Sequence, residues 1–133
     1  MTAHQTLLPP GWPRPRGYAN GVAATGRLVF TAGVVAFDAE ERIVGADLGS
    51  QFRQVLINTL AVLAEAGAGP EHIVRMTWYV TNRDEYIASL PEIGAAYREL
   101  VGKHYPAMAV VQVAALVEAD AKIEIESTAV VPA

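Results

Sequence analysis

A chain of 133 residues, 52% hydrophobic and 18% charged, suffices for one domain with one core and is too apolar to stay disordered. Its formal net charge is −4 without any basic block, which argues against a nucleic-acid partner, and it has no cysteine, which excludes disulfides, thiol nucleophiles and thiolate metal sites. No signal-peptide core opens it and no apolar run is long enough for a bilayer, so a soluble cytoplasmic protein without membrane contact is expected.

Residues 1–16 carry Pro9, Pro10, Pro13 and Pro15 and are expected to form an extended N-terminal arm without regular structure, ahead of a single domain over 17–133. Tyr18–Val22 and Leu28–Val35 read as two short strands joined by a hairpin turn at Ala24-Thr25-Gly26, with Gly26 free to take a positive φ. The polar stretch Asp38–Asp47 is a loop or short hairpin. Asp47 then suits a helix N-cap. Leu48, Phe52, Val55, Leu56, Leu60, Leu63 and Ala66 follow at three- and four-residue spacing and share one helix face; Gln51, Gln54, Asn58 and Glu65 lie on the other. Gly67, Gly69 and Pro70 stop the helix.

His72–Thr81 alternates. Val74, Met76, Trp78 and Val80 point one way, and Arg75, Thr77, Tyr79 and Thr81 the other, which predicts a strand with one covered face. A second helix is predicted to about Val101, with Ile87, Leu90, Ile93, Ala96, Tyr97 and Leu100 inward and Pro91 in its first turn or at a break. His104–Leu116 reads as a buried strand, with Met108, Val110 and Gln112 on one face. Lys122–Val131 is the last strand, with Glu124, Glu126 and Thr128 on one side and Ile123, Ile125 and Ala129 on the other. The order β-β-α-β-α-β-β makes an α+β fold, a mixed sheet with two helices on one face. Its other face needs a cover, and self-association is the simplest one.

Four segments in this order carry a resemblance: "GYANGVAATGRLVFTAG", "QFRQVLINTLAVLAEAGAGPEHIVRMTWYVT", "YPAMAVVQVAAL" and "KIEIESTAV". Over roughly 17–131 the chain resembles the RidA (YjgF/YER057c/UK114) family. The resemblance implies a chorismate-mutase-like fold and a homotrimer. Its sheets would face inward as a barrel, and three small-molecule clefts would lie between subunits. The implied activity is hydrolysis of reactive enamines and imines to ammonia and a keto acid. Active members of that family carry an arginine directly after the Pro-Ala step of the third segment, where it grips a substrate carboxylate. Here Met108 follows Pro106-Ala107, and an apolar, flexible methionine cannot replace a guanidinium.

By the same resemblance Tyr18 matches a cleft-lining tyrosine, and Glu124 matches an acidic residue proposed to position the attacking water. Glu124 and Tyr18 are therefore the candidate catalytic pair, and Met108, Ala107, Gly33 and Val34 the candidate ligand-cleft residues. Val34 stands where the family commonly has glutamine, and an asparagine of the second helix is replaced near Gly94. For Met108 the plainer reading is packing at the subunit seam; for Glu124 it is solvation inside a barrel, paired with Lys122 or a neighbouring subunit; for Tyr18 it is closure of the seam. Arg14 or Arg16 could fold in as a substitute cation, although solvation at the surface is the simpler expectation. The three histidines are scattered and make no metal site, and no cofactor is expected. Two functions stay open. One is a divergent enamine or imine deaminase with an altered substrate preference. The other is a non-catalytic small-molecule-binding trimer. Ribonuclease activity, attributed to some relatives, fits poorly with an acidic chain lacking a basic groove.

Overall fold

The structure, a computed structural model that describes residues 4–133, is organised around a four-stranded mixed sheet with helices on one face. Its elements are β1 (Gln5–Leu7), β2 (Gly21–Ala23), β3 (Arg27–Phe30), α1 (Leu48–Ala64), β4 (Ile73–Val80), α2 (Arg83–Ala88), α3 (Leu90–Leu100), β5 (Ala107–Gln112) and β6 (Ile123–Val131). A 3₁₀ turn over Pro70–His72 leads into β4. The main sheet has the order β3-β6-β4-β5. β4 and β5 run parallel and the other pairs antiparallel. A parallel pair needs a crossover, and α2 and α3 supply it.

α1 starts where expected, because the Asp47 carboxylate accepts the Ser50 backbone N–H at 2.8 Å. The Ser50 hydroxyl also donates to that carboxylate, and together these bonds hold its pKa below the ordinary value. The apolar stripe of α1 buries Leu48, Phe52, Val55, Leu56 and Leu63 against Met76, Trp78 and Val80 of β4 and Ile123 and Ile125 of β6. The Phe52 and Trp78 rings lie 4.8 Å apart between centroids, tilted by 54°. Phe52 is fully buried. Phe52→Ala is expected to cost about 3–5 kcal/mol in urea unfolding, through lost transfer energy and the cavity left behind. A loss of a few tenths would mean that α1 is not seated as described.

Several expectations are corrected. The arm is not without regular structure: Gln5–Leu7 pairs antiparallel with Gly21–Ala23. The predicted hairpin does not form, since β2 pairs with β1 while β3 pairs with β6. Strand pairing is chosen by distant partners, which a local turn motif cannot specify. Gly26 is needed for a close approach: a Cβ there would stand 2.2 Å from the Val131 carbonyl oxygen. The second predicted strand ends at Phe30, and Val34 rejoins the sheet as a single bridge to Ile125. Gln51, assigned to the outer face of α1, is buried, and backbone hydrogen bonds to its amide offset the cost. It donates to the carbonyls of Gly45 and Asp120 at 3.1 and 3.0 Å and accepts from the Lys122 N–H at 2.8 Å.

The second helix is broken at Ser89, with Pro91 in the first turn of α3, so among the described residues three α-helices stand where two were expected. The break leaves Ile87 and Leu90 exposed, whereas Ile93, Ala96 and Tyr97 pack inward. β5 is an edge strand and only half-buried in the protomer.

Register then assigns the faces. Met108 and Val110 pair with Met76 and Trp78 and look toward the helices. Glu124 and Glu126 pair with Tyr79 and Thr77 and look away from them.

Candidate functional site

Tyr18 owes its position to the backbone. The Ala19 N–H donates to the Pro106 carbonyl at 2.9 Å, and Ala19 makes a parallel bridge to Ala107. The segment Arg16-Gly17-Tyr18 is thereby fastened along the free edge of β5, next to Met108. Behind it lies a cavity of about 490 Å³, whose lining includes Arg16, Tyr18, Trp78, Tyr97, Arg98 and Met108. That volume suits a small organic molecule.

The far wall is aromatic. Tyr97 and Tyr105 stack with centroids 5.7 Å apart and planes 9° from parallel. The Tyr97 hydroxyl donates to the His104 carbonyl, and burial pushes its pKa well above the ordinary phenol value. Tyr97 is therefore a fixed neutral wall, not an acid–base group.

A second group forms elsewhere. Val34 and Ile125 exchange backbone hydrogen bonds of 2.8 and 2.9 Å, which brings Gly33 over Glu124. A Cβ at residue 33 would lie 2.3 Å from Glu124 Oε2, so the missing side chain makes room for this carboxylate. Glu124 is half-buried. Lys122, one of the two partners expected for it, instead pairs with Glu85 at 3.0 Å. Glu126, two residues on, is exposed and accepts a 2.7 Å hydrogen bond from the Tyr79 hydroxyl. That bond raises the Tyr79 pKa.

Within one protomer these two groups stay apart. Glu124 is level with Tyr79 and Val111, and Met108 sits three residues before Val111. Two strand spacings make roughly 10 Å, and the offset along the strand adds roughly 10 Å in the perpendicular direction. The side chains also leave opposite faces of the sheet. Tyr18, Ala107 and Met108 therefore gather at one place, and Gly33, Val34 and Glu124 at another.

Residue reasoning missed most of the cavity wall. Trp78 and Tyr97 were assigned to the core alone, and Arg98 and Tyr105 had no assigned role. The available signal was Gly94, a glycine inside a helix with a cation one turn later. No helix among the described residues is long and apolar enough to cross a membrane.

Comparison with known proteins adds sequence and fold similarity. A family model described as endoribonuclease L-PSP matches residues 13–131. A RutC family protein of Pyrococcus abyssi is 33% identical over 118 residues, covering 88% of this chain and 89% of its own. The 2-iminobutanoate/2-iminopropanoate deaminase of Salmonella typhimurium is 34% identical over 116 residues, covering 85% and 86%. Among solved structures, the conserved Rid protein family member YyfB of Yersinia pestis superposes with a TM-score of 0.83 at 35% identity, over 96% of this chain and 98% of that one.

Proposed function

The chain belongs to the RidA (YjgF/YER057c/UK114) family, and on that premise we propose that it hydrolyses a reactive enamine or imine in clefts between the subunits of a homotrimer, with its substrate preference shifted by Met108. The observation that carries this reading is the division of the candidate site. A cleft using both Tyr18 and Glu124 needs the β5 edge of one copy against the open sheet face of another. The apolar side chains left on that open face support the same assembly: Leu28 and Phe30 are 58% and 66% exposed in the protomer. The activity follows the deaminase name of the Salmonella relative. In the same reading residues 17–133 are the one domain and residues 1–16 the arm, of which the described residues 4–16 lie along the domain through β1, and the protein works in the cytoplasm.

The chemistry needs water, a carboxylate and a hydroxyl, without a cofactor. The water oxygen bonds to the C=N carbon while its proton passes by way of Glu124 to nitrogen. The carbinolamine then collapses to a carbonyl and ammonia, with the hydroxyl proton returned by the same carboxylate. Tyr18 hydrogen-bonds the reacting nitrogen or the water. A second reading, a non-catalytic small-molecule-binding trimer, is favoured by Met108 itself, which offers no charge to a substrate carboxylate. The name endoribonuclease is not carried over, because the net charge of −4 and a cavity of about 490 Å³ suit a small molecule better than a polyanion.

Imines generated in situ by an amino-acid oxidase, with ammonia release followed, test the activity. Release no faster than in buffer for every imine leaves the binding trimer. Co-assembly of Tyr18→Phe with Glu124→Gln chains tests the cleft. If the two residues come from different copies, random mixing restores about a quarter of the sites. Mixed trimers as slow as either parent would place both residues in one chain's site and sink the inter-subunit arrangement.

A further inference from the structure

We infer that Arg98 on α3 is the anion anchor of the 490 Å³ cavity, and that it selects ligands joining a carboxylate to a flat apolar body. This rests on reading the cavity as the ligand site, and it does not depend on turnover.

The first support is the path of the Arg98 side chain. A Cβ on Gly94 would come 3.3 Å from Arg98 Nη1 and 3.9 Å from Cζ, so the guanidinium lies across the glycine. Glycine is a poor residue for a helix interior. Here its bare surface leaves the guanidinium its route along α3 to the cavity wall.

The second support is charge. No acidic residue lines this cavity. A neighbouring cavity, lined in part by Arg14, Arg16 and Lys103, shares Arg16, Tyr18 and Tyr105 with it and likewise has no acidic lining residue. Four cations thus gather around one segment of a chain whose net charge is −4. Among the described residues three other cations are paired, Arg42 with Asp38, Arg53 with Glu99 and Lys122 with Glu85, whereas Arg27, Arg75 and Arg83 are not. Neither Arg98 nor Arg16 has a carboxylate within 4.0 Å among the described residues. Arg98 is exposed at the rim of the cavity, and a guanidinium lacking a counterion suits a bidentate carboxylate.

The third support is shape. The near-parallel Tyr97–Tyr105 pair and the Trp78 indole offer flat apolar surface. The buried Trp78 N–H also has no acceptor among the described residues. With Arg98 on the helix and Met108 on the strand, the cavity holds the carboxylate on the α3 side. A ligand with a planar body between those walls fills it better than a two- or three-carbon acid.

Isothermal titration calorimetry of the full chain tests this with phenylacetate, its neutral isostere phenylacetamide, and acetate. Phenylacetate is expected to bind about tenfold or more tighter than either of the others. Arg98→Met is expected to abolish the advantage over phenylacetamide while leaving phenylacetamide affinity unchanged, and Gly94→Ala is expected to weaken phenylacetate in the same direction. Arg53→Met, which touches a cation outside the cavity, should change neither. Undetectable phenylacetate binding overturns the inference. So does an Arg98→Met protein with the parent melting temperature and the parent preference for phenylacetate. The expected binding pattern in a protein that releases no ammonia from any imine removes the hydrolase and keeps the anchor. Hydrolysis indifferent to Arg98→Met, without the phenylacetate preference, removes the anchor alone.

Discussion

Glu124→Gln is expected to lower kcat for imine hydrolysis by about 10²–10⁴-fold while leaving the melting temperature unchanged. The amide matches the carboxylate in size, so the space left by Gly33 still accommodates it. The Glu124 side chain makes no hydrogen bond or ion pair among the described residues, so no stabilising contact is lost. What disappears is a group able to take the proton from water and return it. Glu126→Gln is the control, because Glu126 is exposed and an amide oxygen can still accept the Tyr79 hydroxyl. Steady-state ammonia release on the best imine of the panel provides the measurement. A Glu124→Gln enzyme with undiminished kcat would remove this carboxylate from the chemistry.

Met108→Arg is expected to raise kcat/KM on 2-iminopropanoate by about 10²–10⁴-fold. Two charge-assisted hydrogen bonds contribute about 1.5–3 kcal/mol each, and every 1.4 kcal/mol is a factor of ten. The site can accept the longer side chain. Met108 is half-buried on an edge strand, faces the cavity beside Tyr18, and packs on the rim of the core without being fully enclosed by it. The new cation would sit on the sheet side of the cavity, where a short acid can reach it. Arg98 serves the α3 side. Rapid turnover of 2-iminopropanoate by the unsubstituted protein, or no gain in the arginine variant, would show that residue 108 does not set the preference.

Some of this architecture was legible in the residues because its causes are local. The apolar spacing of α1 and its Asp47 cap lie within one continuous stretch. The alternation of β4 around Met76, Trp78 and Val80 does too, and so does the proline break before α3. The likeness to known proteins brought out Tyr18, Gly33, Met108 and Glu124 as candidates. It could not show the physical ground for Gly33, which is the proximity of a carboxylate ninety-one residues away in the chain.

The sequence by itself determined the periodic elements, the α+β class and the kinship, because propensity, capping and hydrophobic repeat act over a few neighbouring residues. Tertiary structure alone decided that β1 takes β2 from its predicted hairpin partner, and that the buried Gln51 amide bonds the backbone of Asp120 and Lys122, distant in the chain, as well as nearby Gly45. It also decided that Arg98 and Arg16 line the same cavity as Met108, and that Tyr18 and Glu124 stand apart in one copy. Pairing register and side-chain reach depend on which remote segments meet. That choice is made by the cooperative packing of the whole chain, and no local window of residues records it.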